Sequence, residues 1–272
     1  HSGGEIHKER GNSNCILGRL LWKLSEKMLV GLVSADGGLA DNAIPRQTKA
    51  VVVVEEKDTE SLAQQVAALA AELADELATK DPDVKVTAKR LADTAETITC
   101  AAPEETKRVA AFLQATPNGV QAMSADMPGL VQTSLNLGIL KADAEVLRAE
   151  YSVRSSVESE KDNLIAKLSA LVELTGGNYV VTGDYPGWKY RVHSPLREKM
   201  VTLYAEMYGN EPRVEAIHAG LECGLLGSKI SDLDCVSMGP DMKDIHTTEE
   251  TLSISSTKRV WEYLVRVLET KD

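Results

Sequence analysis

Ala50 to Glu55 reads AVVVVE and, after a three-residue turn, Thr59 to Lys80 reads TESLAQQVAALAAELADELATK. The first is a β-branched run ending in charge, the pattern of a short strand. The second spaces Leu62, Val66, Leu69, Leu73 and Leu77 by three and four behind a Thr59 cap, which predicts an amphipathic helix. A strand running into a helix with one apolar stripe calls for a sheet covered by helices, so the fold class is mixed α/β and α+β.

Outward from this pair the pattern repeats. Val84 to Thr99 carries alternating stretches and is expected to be a strand; Pro103 followed by Glu104 and Glu105 opens a helix. Ala144 to Arg154 is a further strand and Val157 to Leu174 a further helix. Two such rounds predict an antiparallel sheet with its helices on one face.

Eight of the eleven aromatic residues lie beyond residue 178, and the breaker-rich segments Thr175-Gly176-Gly177-Asn178 and Gly183-Asp184-Tyr185-Pro186-Gly187 mark a boundary. After it come a helix (Pro195 to Tyr208), a strand (Arg213 to Ile217), a helix start (Gly220 to Leu226), a strand (Asp234 to Met238) and a helix (Ser255 to Leu268). Such alternation predicts parallel strands with crossover helices. The elements are too few for a complete α/β domain, so this part is expected to be the second half of one. The opening HSGGEIHKERGN has neither an initiator Met nor a signal-peptide pattern, and reads like the middle of a protein.

Composition narrows the function classes. The chain has 272 residues, 43% hydrophobic and 26% charged, as an ordinary globular protein does. A net charge of -11 repels a phosphate backbone, and eleven scattered aromatics make no stacking platform, so nucleic acid is not expected as a partner. The longest apolar runs fall far short of the roughly 20 residues a membrane span needs, so no membrane partner is expected either. Cys15, Cys100, Cys223 and Cys235 form no CxxC pair, which suits a reducing cytoplasm.

Candidate chemistry is spread along the chain. His246 follows the strand candidate and its Gly239-Pro240 turn; an imidazole there is a metal ligand or a loop histidine capping a turn. In Ile217-His218-Ala219-Gly220-Leu221-Glu222-Cys223-Gly224, small residues allow close backbone approach; His218 and Glu222 are candidates for substrate contact, and Glu222 also for a base or a supporting acid. The same stretch also reads as a tight strand-to-helix turn. His1-Ser2-Gly3-Gly4 and Asp36 to Pro45, which contains Asn42, are glycine-rich turns. Arg154 ends a strand, where a guanidinium either grips a carboxylate through two hydrogen bonds or is simply solvated. No HExxH, P-loop or GxSxG motif is present.

In order, HSGGEIH, the GG followed by NAIPR, RSSVES, GDYPGWKY, IHAGLECGLL and the GP before His246 resemble the aminoacyl-histidine dipeptidases, a branch of the dizinc exopeptidases. The resemblance spans essentially the whole chain and corresponds to the C-terminal part of the family's pattern. It implies a lid domain over residues 1–183, lacking its N-terminal edge, and the C-terminal portion of a metallopeptidase catalytic domain over 184–272. It implies two zinc ions, with His246 as a metal ligand and the other ligands and the general-base glutamate outside this chain. Where the family often continues Ser-Pro-Asp-Glu after that histidine, this chain has Thr247-Thr248-Glu249-Glu250.

By the same resemblance His1 polarises the scissile carbonyl, Asn42 positions the substrate and Arg154 binds the free C-terminal carboxylate of a dipeptide. A cytoplasmic homodimer is the implied setting, and the fragment alone is expected to be inactive. Two further readings stand beside this one: a noncatalytic binding or assembly module derived from such an enzyme, and a related deacylase of acyl-amino acids. RSSVES and HAGLECG favour the dipeptidase branch.

Overall fold

The computed structural model describes residues 1–92, 96–216, 222–245 and 248–271. One unit is His1–Asp184, and a second comprises Tyr185–Ala216 and 222–271. In the first, α1 (Ser2–Glu5) and a 3-10 turn (Ile6–Lys8) precede α2 (Ser13–Ser25), β1 (Gly31–Gly37), β2 (Thr48–Val53), α3 (Thr59–Glu76), α4 (Pro103–Ala115), β3 (Gly119–Met123), β4 (Val131–Ala142), β5 (Leu147–Ser155) and α5 (Glu158–Leu174).

The sheet is antiparallel throughout and organised on β4. One edge of β4 pairs with β5 from Thr133↔Ser155 to Ala142↔Leu147. The other edge is shared: β3 takes its first half, with Gly119↔Leu135 and Val120↔Ser134, and β1 takes its last three residues, with Gly37↔Leu140. Between these two partners that edge of β4 has no strand beside it around Asn136 to Ile139, and that gap positions the site.

Helices cover one face. Leu137 and Leu140 pack with Phe112 and Leu113 of α4, joined by Tyr151, Leu171 and Val172. Leu21 of α2, Leu32 of β1 and Ala110 of α4 form a second cluster. Fully burying such a leucine contributes about 1.5–3 kcal/mol. On α3, Val66, Leu69 and Leu73 of the expected stripe are buried. The cap of this helix differs from expectation: Asp58 holds the N-cap position and Thr59 is the first helical residue. Two ion-pair partners reach from α2 to α3, Arg19 to Glu72 and Glu76, and Lys23 to Glu72.

The strand expected between Val84 and Thr99 does not form among the described residues; most of that stretch is exposed. Alternation without a neighbouring strand or a face to bury gives no ladder.

The second unit holds α6 (Pro195–Tyr208), α7 (Glu222–Lys229), β6 (Met242–Lys243), β7 (Thr251–Leu252) and α8 (Ile254–Glu269). Its core joins Met200 and Leu203 of α6 to Tyr263 and Val267 of α8. The Tyr263 hydroxyl donates to the Met200 carbonyl at 2.6 Å, which removes the cost of burying it. Asp234 anchors the start of α6: it accepts from the Ser194 hydroxyl at 2.6 Å and from the Leu196 N–H at 3.0 Å. The parallel strands expected over 213–217 and 234–238 are absent among the described residues, where the strands of this unit are the antiparallel pair β6 and β7. A strand exists only as a ladder, and among the described residues neither segment has a strand paired with it. Among the described residues no helix is long and apolar enough to cross a membrane.

Candidate functional site

Leu137 lies in the gap that β1 and β3 leave along β4, and its backbone groups are satisfied by side chains instead of a strand. Its N–H donates to Asn118 Oδ1 at 2.9 Å, and its carbonyl accepts from the side-chain amides of Asn12 at 3.1 Å and Asn14 at 3.2 Å. Asn12 is also the N-cap of α2, its Oδ1 accepting from the N–H groups of Asn14 and Cys15. A buried amide can sit here because its donors and acceptors are all used.

The same network shapes the loop that carries Asn42. The Asn136 side chain, 1% exposed, donates to the carbonyls of Asp41 at 2.9 Å and Ala43 at 2.8 Å, and accepts from Asn12 at 3.2 Å. Two glycines let the loop come down on the strand. Gly38 has φ of +82° and a Cβ there would lie 1.7 Å from the Gly138 carbonyl oxygen, while a Cβ on Gly138 would lie 2.2 Å from the Asp41 oxygen. Only glycine allows that approach.

The segment carrying His1 is tied to this loop, since the Ser2 N–H donates to the Asn42 carbonyl at 2.8 Å. His1 caps α1, its Nδ1 accepting from the Gly3 N–H at 3.1 Å. The neutral ring therefore carries its proton on Nε2. The turn that follows, Ile6–Lys8, lies against β3 and β4.

Arg154 sits on β5 opposite Ser134, which in turn lies opposite Val120 of β3. Directly opposed residues share a sheet face, and Asn136 is two residues along β4 from Ser134, so Arg154 and Asn136 are on one face. It is the face away from Leu137 and Tyr151, which pack under the helices. Arg154 is half-buried, and its Nε is buried without a hydrogen-bond partner among the described residues. A cavity of about 230 Å³ opens on this face, with Ile6, Ile44, Asn118, Val120 and Asn136 in its lining.

The structure thus brings His1, Asn42 and Arg154 to one face of the first unit's sheet. Glu222 is the exposed first residue of α7 in the second unit. His218 and His246 lie outside the described residues. Among the described residues no group of three His, Cys, Asp or Glu side chains could hold a metal ion. Sequence reasoning passed over Asn12, Asn118 and Asn136, which set the geometry; only Asn12, an asparagine directly before a helix, carried a local signal.

No family model matches the chain. It is 32% identical to the cytosol non-specific dipeptidase of Escherichia coli (strain K12) over 268 residues, 98% of this chain and 55% of that protein. It superposes with a TM-score of 0.89 on the crystal structure of aminoacylhistidine dipeptidase from Vibrio alginolyticus, at 33% identity, covering 99% of this chain and 54% of the other. The resemblance carried by the six motifs is therefore borne out along nearly the full chain, which spans about half the length of these two relatives.

Proposed function

We propose that this chain is the lid and part of the catalytic domain of a metallo-dipeptidase that hydrolyses dipeptides such as Xaa-His, and that it is inactive without the remaining half. The observation that carries the reading is the shared sheet face of His1, Asn42 and Arg154. A dipeptide differs from a longer peptide in presenting its amine and its carboxylate a fixed short distance apart. An arginine whose Nε is buried without a partner is suited to that carboxylate, because a forked pair of hydrogen bonds satisfies the guanidinium and fixes the substrate's end.

Each residue then has a task. Arg154 holds the C-terminal carboxylate and excludes longer peptides. His1, with its proton on Nε2, donates to the scissile carbonyl and to the oxyanion that develops from it. Asn42 orients the substrate from a loop whose position Asn136 fixes, which limits the reorganisation needed during reaction. Glu222 and His218 are assigned to substrate contact.

Zinc is the cofactor that goes with this reading, two ions per intact site, and it would supply an activated water for hydrolysis. His246 is the ligand assigned to this chain. The described residues hold no metal by themselves. We assign the protein to the cytoplasm, on the strength of the E. coli relative's cytosolic name, and its assembly to a homodimer, as the motif resemblance implies.

The test is a chimera in which this chain replaces the matched 268 residues of the E. coli dipeptidase. The chimera is expected to cleave Xaa-His dipeptides when zinc is present. A folded, metal-loaded chimera that cleaves no dipeptide overturns the reading.

A further inference from the structure

The cavity on the Arg154 face has walls that the proposed hydrolysis leaves unused. Ser134 lies opposite Arg154 on one side and opposite Val120 on the other, so the three form a row across β5, β4 and β3 on one face of the sheet. Strands are spaced by about 4.8 Å, which puts the Val120 backbone about 10 Å from that of Arg154. Val120 lines the cavity, with Ile6 and Ile44 as further aliphatic walls. Its volume of about 230 Å³ is below the roughly 300–1,000 Å³ of pockets that enclose a whole small ligand, so it suits a single side chain. One amide supplies the open polar group. Asn136 and Asn12 have both ends of their carboxamides engaged. Asn118 does not: its Oδ1 accepts from the Leu137 N–H at 2.9 Å and from Asn12 Nδ2 at 3.3 Å, which fixes its orientation, and its Nδ2 donates to no other described residue. The two charged residues of the lining are already answered, Glu9 by Lys80 and Arg10 by Glu5 at 3.9 Å, so the cavity calls for a neutral group.

Building on the assignment of Arg154 to the substrate carboxylate, we propose that this cavity receives the side chain of a dipeptide's C-terminal residue and that Asn118 selects a neutral histidine imidazole there. With the carboxylate held by the guanidinium, the side chain of the same residue extends along the row toward Val120. A neutral imidazole offers apolar faces to Ile6, Ile44 and Val120, and its unprotonated ring nitrogen accepts from the Asn118 amide. A leucine leaves that donor unanswered, and a protonated imidazole carries no acceptor. Asn118 is thereby a specificity residue, and its hold on the Leu137 N–H keeps the donor in place.

The test titrates the isotope-labelled chain with N-acetylhistidine at about pH 8, where imidazole is neutral, and follows the Asn118 side-chain amide by NMR, assigned from its own backbone. A saturable shift of that amide is expected. N-acetylleucine, without an acceptor, and N-acetylglutamine, without a ring, should need roughly tenfold higher concentrations. At about pH 5 the response to acetylhistidine is expected to weaken by a similar factor while that to acetylleucine holds. Val120→Trp, which fills the cavity, should abolish the response to all three. Acetylhistidine amide, lacking the carboxylate, separates the two assignments: it should bind more weakly than the acid, and equal binding that still moves Asn118 overturns the role of Arg154 alone. The proposal for Asn118 is overturned if acetylhistidine leaves its amide unmoved, or moves it no more readily than acetylleucine or acetylglutamine does.

Discussion

The side-chain amide of Asn12 donates to the carboxamide oxygen of Asn136 over 3.2 Å, which joins the cap of α2 to the side chain that holds the loop around Asn42. Asn136→Leu keeps the volume but strips the Asp41 and Ala43 carbonyls of their donor. Each unsatisfied group costs about 1–3 kcal/mol. The first unit is expected to lose roughly 2–4 kcal/mol in urea unfolding. Hydrogen exchange at the Ser2 amide, bonded to Asn42, is expected to speed up as well. An unchanged midpoint and unchanged exchange would remove Asn136 from its assigned role.

Gly38→Ala probes the same loop from the backbone. The left-handed conformation at +82° strains any L-residue by about 1–2 kcal/mol. The methyl would also overlap the Gly138 carbonyl oxygen, so the loop must lift off β4. Stability is expected to fall by more than about 2 kcal/mol, with backbone shifts at residues near 38–45 and at their partners Ser2, Asn136 and Gly138 in an NMR spectrum. An alanine variant as stable as the wild type contradicts the close approach.

How much of this was legible depends on whether the partners are local. The stripe of α3 could be read because residues three and four apart decide its burial, and Val66, Leu69 and Leu73 are buried as expected. Strand β4 could not be read the same way. Its sequence VQTSLNLGILKA mixes buried Thr133, Ser134 and Asn136 with leucines, and these polar groups are affordable only through partners far along the chain. Asn12, 124 residues from Asn136, signals the start of a helix but leaves no trace in the local pattern of β4. The segment 234–238 misled for the converse reason: its place between two helices suggested a crossover strand, but a strand also needs a neighbour. Of the site, His1, Asn42 and Arg154 were reached through motif resemblance, whereas the amide network behind them was not.

The second unit should be acid-sensitive at one identifiable carboxylate. Burial by itself would raise the Asp234 pKa, but the Ser194 hydroxyl and the Leu196 N–H, with Arg191 and Arg197 nearby, hold it below the ordinary value. A depressed folded-state pKa contributes stability that is complete above the unfolded value of about 3.9 and is lost as pH falls through the folded one. Unfolding followed by Trp188 and Trp261 in a Trp22→Phe background should therefore show stability falling below roughly pH 4, and less steeply in Asp234→Asn. Equal slopes for the two proteins would assign the acid loss elsewhere.

The chain alone is expected to hydrolyse no dipeptide with zinc supplied, because structural and catalytic zinc sites need three or four protein ligands and only His246 is assigned here. Measured turnover by the pure 272-residue chain would overturn that assignment and require ligands among its other residues.

Arg154 gives the sharpest separation between a dipeptidase and a noncatalytic module built on the same scaffold. In the chimera, Arg154→Ala leaves the substrate carboxylate unpaired against a partly buried sheet face, and losing a charged hydrogen-bonded pair costs about 2–5 kcal/mol. The expected fall in kcat/KM is roughly 100-fold, with KM rising and kcat falling, since the carboxylate both binds and aligns the scissile bond. Arg154→Lys restores the charge without the forked geometry and is expected to recover only part of the loss. A surface arginine would show neither the loss nor the graded recovery, and a dipeptide amide, lacking the carboxylate, should be hydrolysed equally by wild-type and alanine chimeras. If the amide is as sensitive to Arg154→Ala as the free acid, Arg154 supports the sheet and does not read the substrate's end.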